Sequence, residues 1–283
     1  HSFPTRRSSD LLYIHIPFCE RKCNYCGFLS FVMKENNDNY FKLGENDDIV
    51  GETASVKDYF DNLLKEIDNR GEYLRDKYVV DTIFIGGGTP SVVDEKYIEK
   101  LLKKIKLHYD VHEDVEITIE ANPNSLTEKK IVSYKNAGIN RISIGVQSFD
   151  DDELRMLGRL HNEEMAIDKI NLCRKLGIEN LSVDLIFDLP DQKFESWHRT
   201  LIKAISLGVD HISAYSLQIE EGTKFYREFK MGSLSTADDE KLRKFYDLAV
   251  NELTDAGYDH YEISNFSKIG KESGHNIKYW KYE

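Results

Sequence analysis

Apolar residues along the chain fall into short runs that alternate with helical stripes. The runs are Leu11–Ile16, Val79–Ile85, Val115–Glu120, Arg141–Val146, Leu181–Phe187 and His211–Leu217. They are rich in Ile and Val and bounded by Gly, Asn or Pro, which predicts strands. Between them, Tyr59, Phe60, Leu63, Leu64 and Ile67 recur at helical spacing within Lys57–Asn69, and Tyr97, Ile98, Leu101, Leu102 and Ile105 form a similar stripe. Thr127–Asn136 opens on a capping residue and stops before Gly138, and Glu163–Leu176 and Phe194–Leu207 each end near a glycine. Strand alternating with helix means right-handed βαβ units around a parallel sheet. Six units are too few to close an eight-fold barrel. The prediction is therefore an α/β fold, a partial TIM-like (β/α)6 arc over residues 11–222.

Two segments break the rhythm. Met33–Val56 is polar and rich in Asn and Asp, and reads as one long loop. After Gly222 a helix around Asp238–Asp255 leads to Tyr258–Ser264 and a loop to His275, so residues 223–283 read as the start of a smaller C-terminal region. The opening stretch His1–Asp10 has no apolar periodicity and resembles a translated sequencing adapter, so residues 1–10 are set aside as a non-native leader. With Trp280-Lys281-Tyr282-Glu283 ending the chain directly after a dense motif, the sequence reads as a fragment at both ends.

Bulk composition narrows the function. The 283 residues carry a formal net charge of −12, which argues against a general nucleic-acid or anionic-membrane surface and leaves room only for a local basic patch or a transient membrane contact. No apolar run approaches the ~18 residues that span a bilayer. A cytoplasmic location is the default expectation. Of four cysteines, three crowd into Cys19–Cys26 and Cys173 stands alone on a helical stripe, whereas a secreted disulfide scaffold would spread and pair them. Clustered thiols in a reducing compartment read as metal ligands.

Cys19-Glu-Arg-Lys-Cys23-Asn-Tyr-Cys26 follows the first strand directly. Iron–sulfur clusters are usually held by four thiolates. Three ligands on a cubane leave one iron open, and an open metal position is where chemistry happens. The spacing lets one loop wrap three corners of a cube, at the strand end where α/β enzymes keep their active sites. Two blander readings stand beside this one: a zinc knuckle completed by His15, and three buried structural thiols.

C-x3-C-x2-C after an apolar strand resembles the signature of the radical S-adenosylmethionine (radical SAM) superfamily. The wider string Tyr13-Ile-His-Ile-Pro-Phe-Cys19 is similar to the oxygen-independent coproporphyrinogen III oxidase group, which includes HemW-type haem chaperones. The resemblance implies a [4Fe–4S] cluster on Cys19, Cys23 and Cys26 whose open iron chelates S-adenosylmethionine. It further implies cofactor contacts from Tyr13, Tyr25, Gly87, Gly88, Thr89, Glu120, Gln147, Arg159 and Asp184. Read without it, Gly86-Gly87-Gly88 could be a tight turn, Glu120 a capping carboxylate before Pro123, and Tyr25 simple packing. Asp184 inside an apolar strand needs a partner, for which Arg159 is a candidate.

The chain departs from the group at Gly27, where relatives usually carry Asp, and at Asp188 and Asp191, which replace common glycines. Phe28 stands where true coproporphyrinogen oxidases resemble one another in carrying a further cysteine. His275-Asn-Ile-Lys-Tyr279-Trp280 is similar to the HNxxYW motif of HemW-like proteins, which implies haem contacts at His275, Tyr279 and Trp280. Without the resemblance, His275 reads as an exposed loop histidine and the two aromatics as anchors for a missing region. The resemblance favours a haem chaperone that binds haem and passes it to an apo-haemoprotein, with a flavodoxin- or ferredoxin-type electron donor. The alternatives are oxidative decarboxylation of coproporphyrinogen III and a zinc-binding module. No residue is assigned a catalytic role.

Overall fold

The computed structural model describes residues 8–33, 41–42, 55–235 and 238–281. Its main sheet has eight strands. In chain order these are β1 (Ser8–Ile16), β5 (Tyr78–Gly87), β6 (Val111–Ala121), β7 (Arg141–Gln147), β8 (Asn180–Phe187), β9 (His211–Ser216), β10 (Asp259–Glu262) and β11 (Asn265–Ser267). The spatial order is β1-β5-β6-β7-β8-β9-β11-β10. The first six pair parallel, and β11 and β10 add an antiparallel edge. This is the curled α/β half-barrel that the alternating pattern predicts. A second, small sheet joins β2 (Phe18–Cys19), β3 (Phe31–Met33) and β4 (Phe41–Lys42).

The outer layer comprises α1 (Val56–Leu74), α2 (Glu95–His108), α3 (Glu128–Ala137), α4 (Asp151–Leu157), α5 (Glu163–Lys175), α6 (Phe194–Ser206), α7 (Lys224–Lys230), α8 (Asp239–Asp255) and α9 (Gly274–Lys281). Their caps follow from sequence. Thr127 accepts from Lys130 N at the start of α3, and Gly138 ends that helix in the left-handed region at φ 102°. The core lies between the helices and the outward strand face. Ile83 and Ile85 of β5, Ile117 and Ile119 of β6, and Ile142 and Ile144 of β7 are all buried there. Strand residues alternate faces, so their neighbours point into the arc.

Several expectations need correction. Met33–Val56 is not one loop: Met33 closes β3, Phe41 and Lys42 form β4, and Val56 opens α1, while the rest lies outside the described residues. Residues Ser8–Asp10, set aside with the leader, extend β1 and pair with Tyr78–Val80. Residues 1–7 lie outside the described residues. Three short helices went unanticipated, α4, α7 and α9, because seven or eight residues hold too little periodicity to register. Past Gly222 the chain continues the same sheet. Strand β11 pairs with β9, and α8 receives the Trp197 indole N–H of α6 on Phe245 O at 3.0 Å.

Candidate active site

The site is built at the carboxyl ends of the parallel strands. Ile16 of β1 pairs with Gly87 of β5, and Gly88 N donates to Ile16 O at 2.9 Å, so the cysteine loop and the glycine turn lie side by side. Glycine is required at both positions. Gly87 sits at φ 122°, and a Cβ on Gly88 would lie 2.7 Å from Phe18 O and 2.9 Å from Cys19 Sγ.

The cysteine loop is tied down at several points. Asn24 N donates to Leu157 O at 3.0 Å, its side-chain amide donates to Met156 O at 2.7 Å, and Asn24 O accepts from Phe225 N at 2.9 Å. The unanticipated α4 and α7 thus anchor the loop's midpoint. Glu20 accepts from Asn124, and the His15 ring meets Leu29 O at 2.9 Å. Because His15 is occupied by Leu29 O and the Tyr13 hydroxyl, it is not placed to complete a zinc knuckle. Gly27 packs under Glu220, whose Cβ would lie 2.8 Å from a Cβ at that position, so an Asp there would displace it.

All three thiols are free and line one cleft of about 120 Å³. They share it with Tyr25, Gly87, Gly88, Thr89, Glu120, Gln147, Arg159 and Asp184. Arg159 is the hub. Its guanidinium donates to Cys23 Sγ at 3.5 Å, Asn122 Oδ1 at 2.6 Å and Gly145 O at 2.5 Å. Its Nε is buried without a partner. Thr89 Oγ1 lies 3.6 Å from Cys19 Sγ and accepts from Asn122 Nδ2 at 3.0 Å. Burial pushes the Cys19 and Cys26 thiols up. In the apo chain they are therefore held as thiols, and metal must displace the protons.

Glu120 accepts from Gly87 N at 3.1 Å. Burial, and then the neighbouring Asp184, push its pKa up to about 8. Burial also raises Asp184, which accepts from Ser143 Oγ at 3.1 Å. Asp184 is therefore not Arg159's ion-pair partner. The guanidinium is taken by a sulfur, an amide and a carbonyl, and Asp184 by a serine. Gln147 adopts φ 72°, which turns β7 into the cleft. Asp188 and Asp191 have φ 61° and 57°: the loop is left-handed there, a conformation that favours glycine and that Asp tolerates.

Asn122 escaped the sequence reading, yet it joins Thr89 to Arg159. The Asn-Pro dipeptide after the third strand was its only signal. Tyr13 is not among the residues that line the cleft; its ring stacks on Phe84 at 6.2 Å and its hydroxyl meets His15 Nδ1 at 3.0 Å. The haem motif is not part of the cleft either. His275 lies in the first turn of α9, buried, with Nδ1 3.0 Å from Thr82 Oγ1, its ring stacked on Phe84 and Nε2 without a partner. It is therefore not an exposed loop residue. Thr82 precedes Gly87 by five strand positions, or about 16 Å along β5. Tyr279 and Trp280 are the exposed members, each 56% accessible.

The donor set suits an iron–sulfur cubane. Among the described residues no three His, Cys, Asp or Glu side chains converge on one ion position, whereas a cubane takes each thiolate on a separate iron. Arg159 and Thr89 stand where hydrogen bonds to ligand sulfur would stabilise its charge. The unpartnered Arg159 Nε and the buried carboxyl pair offer complementary contacts for a charged, hydroxyl-bearing cofactor.

Residues 13–204 match the radical SAM superfamily. The chain is 38% identical over 275 residues to the heme chaperone HemW of Haemophilus influenzae, and 36% identical over 273 residues to that of Bacillus subtilis. Each alignment covers 96% of this chain, with 66% of the first relative and 67% of the second. The chain thus spans about two thirds of the length of these relatives. In structure it resembles coproporphyrinogen III oxidase (HemN) from Escherichia coli, a radical SAM enzyme, with a TM-score of 0.77 at 24% identity, covering 99% of this chain and 59% of that one. With an open-cornered thiol set at the strand ends and this sequence match, the chain belongs to the radical SAM superfamily, in the group that contains the HemW proteins.

Proposed function

We propose that this protein is a haem chaperone that binds haem and hands it to an apo-haemoprotein. The observation that carries the reading is the 36–38% identity, along nearly the whole chain, to relatives named as heme chaperones. Phe28 supports it against the oxidase alternative. That position holds an exposed phenyl ring, 69% accessible, where a further thiol marks the decarboxylating members of the resemblance.

Cys19, Cys23 and Cys26 would hold the cluster, and Gly87, Gly88, Thr89, Glu120, Gln147, Arg159 and Asp184 would hold S-adenosylmethionine. When bound, the pair supplies one-electron chemistry at the open iron corner. The chain's own part is to orient and exclude. Asn122 and Arg159 brace the cleft floor, Tyr25 closes one wall, and Gly88 lets the backbone approach. Tyr279 and Trp280 present aromatic faces for a porphyrin at the surface of α9, with His275 beneath them as the candidate iron ligand. Phe28 and Leu29, both exposed beside the cluster loop, offer an apolar surface to an electron donor of the flavodoxin or ferredoxin class. No helix among the described residues is long and apolar enough to cross a membrane. We assign the protein to the cytoplasm, with at most transient membrane contact.

The test is anaerobic reconstitution followed by hemin titration. Wild type takes up iron and sulfide, absorbs near 400 nm, binds hemin and passes it to an apo-haemoprotein. His275→Ala and Trp280→Ala bind hemin less tightly with the cluster intact. Conversion of coproporphyrinogen III in the presence of S-adenosylmethionine would replace this reading with the oxidase, and zinc bound in place of iron would end both.

A further inference from the structure

Below the cleft, the inner face of the arc stays polar. On β7 the positions sharing the face of cleft-lining Gly145 are Arg141 and Ser143, and on β8 those sharing the face of Asp184 are Asn180 and Ser182. A closed α/β barrel fills this space with branched apolar layers. On these two strands no apolar residue separates the cleft from the strand starts.

Arg141 is the cation of this lumen. It is 2% exposed, and it makes no hydrogen bond or ion pair through its side chain with any described residue. Its Nε is buried and unpartnered. Its register partners on either side, Thr118 and Asn180, likewise leave Oγ1 and Oδ1 buried without partners. The buried carboxyls of Glu120 and Asp184 lie within its electrostatic reach, but neither accepts a hydrogen bond from it. Glu120 is held by Gly87 N and Asp184 by Ser143. His211 is engaged by Ser182 and Tyr261, and burial keeps both it and His275 neutral. A buried guanidinium whose five N–H donors meet no acceptor is costly, and that cost falls when a planar pair of acceptors of opposite charge arrives.

We propose that the lumen beneath the cleft is a carboxylate-binding site anchored by Arg141, receiving the acid group of a substrate that enters through the cleft. A single cation suits a monoanion, and the planar guanidinium fork matches the two oxygens of a carboxylate. Thr118 flanks the position with a hydroxyl free to donate to the carboxylate, and the unpartnered Asn180 Oδ1 stands ready to accept from the guanidinium. The inference rests on the polar arc and needs no haem. If haem is the guest, the acid group is a propionate.

The test uses reconstituted protein with sodium acetate or propionate titrated at constant ionic strength, read by the unfolding midpoint. Wild type gains a saturable rise, Arg141→Lys responds at least tenfold more weakly, and Arg141→Met not at all. Arg141→Met still folds, with an unfolding midpoint no lower than wild type, because it removes an unpaired buried charge. An equal response in Arg141→Met, or no response in wild type, would mean that only water fills the lumen and the site is overturned. Chloride reproducing the acetate curve would overturn the carboxylate assignment. A second arm compares hemin with hemin dimethyl ester. Arg141→Met weakens hemin at least tenfold and leaves the ester unchanged, and equal weakening of both overturns the substrate source. If neither porphyrin binds wild type, the chaperone reading fails while the acetate arm still decides this one.

Discussion

Replacing Gly88 with alanine tests the cluster loop at its tightest point. The added Cβ would lie 2.7 Å from Phe18 O and 2.9 Å from Cys19 Sγ. Both gaps are shorter than side-chain carbons tolerate, and neither neighbour is the free end of a flexible chain. Phe18 is 1% exposed and paired to Phe31 in the small sheet, and Gly88 N is bonded to Ile16 O. One side must give, and overpacking of this kind costs about 1–3 kcal/mol. The Cys19 side chain can turn aside but the Phe18 carbonyl is backbone and cannot, so part of the cost should lower the apo unfolding midpoint and the displaced thiol should carry the rest. At 1.4 kcal/mol per decade, cluster affinity then falls by at most roughly 150-fold. The assay is iron and sulfide per chain after anaerobic reconstitution, with the rate of bleaching by a chelator as the sensitive readout. Wild-type iron content together with wild-type chelator resistance would refute the placement of Cys19 against the glycine turn.

Arg159→Lys keeps the charge but loses the fork that joins Cys23, Asn122 and Gly145. It should retain iron while S-adenosylmethionine affinity, measured by calorimetry, drops at least tenfold. Cys173→Ala should leave iron content unchanged, since that thiol is buried on α5 within the outer core and pushed up to about 12; iron loss would implicate it as a ligand. Acid should destabilise the fold. His161, His211 and His275 are pushed down by burial, two of them to about 3 and about 4, so below their unfolded value of about 6.5 only the unfolded chain takes their protons, and stability drains as pH falls. Glu120, raised to about 8, and Asp184, also raised, work the other way by protonating first in the folded state. Asp188 is raised as well, while Asp94 and Glu95 are held low and add to the acid loss, so the three imidazoles and these carboxylates leave a net fall in stability between roughly pH 6 and 4.5. A urea midpoint that is flat or rises on acidification through that window would contradict the assignment of buried neutral imidazoles.

The parallel arc was legible because Ile and Val runs bounded by breakers are strong signals over six repeats. The cysteine loop was legible because thiols at that spacing have few other uses. What stayed hidden depends on contacts between distant segments. Asn24 is an ordinary loop residue until α4 and α7 close on it. Asn122 gains its role only when Thr89 and Arg159 arrive on either side. The pairing of Asp184 with Arg159 was a reasonable guess from charge, but the register that sets Asp184 beside Ser143's strand decided otherwise. Arg141 could have been noticed. The β7 sequence Arg-Ile-Ser-Ile-Gly-Val-Gln alternates strictly, which in a buried parallel sheet already announces a polar interior.

That alternation links the two ends of the molecule. The strand carboxyl ends carry the thiols and the candidate cofactor residues, and α9 packs against the inner face near the strand starts, where Gly274 N and His275 N donate to Glu116 and Lys278 pairs with Asp81. His275 is chemically ready to bind iron. Its pKa, lowered to about 4 by burial, keeps the ring neutral near pH 7, and Nε2 is the nitrogen without a partner. What it lacks is access. Ligation would require α9 to loosen from Glu116 and Asp81 and the His275 ring to leave Thr82 and Phe84. A porphyrin first caught on Tyr279 and Trp280 could offset such bonds with its own propionates. If both proposals hold, the polar lining serves one physical purpose along its length: to accept charged groups from a guest at a depth where an ordinary barrel would accept none.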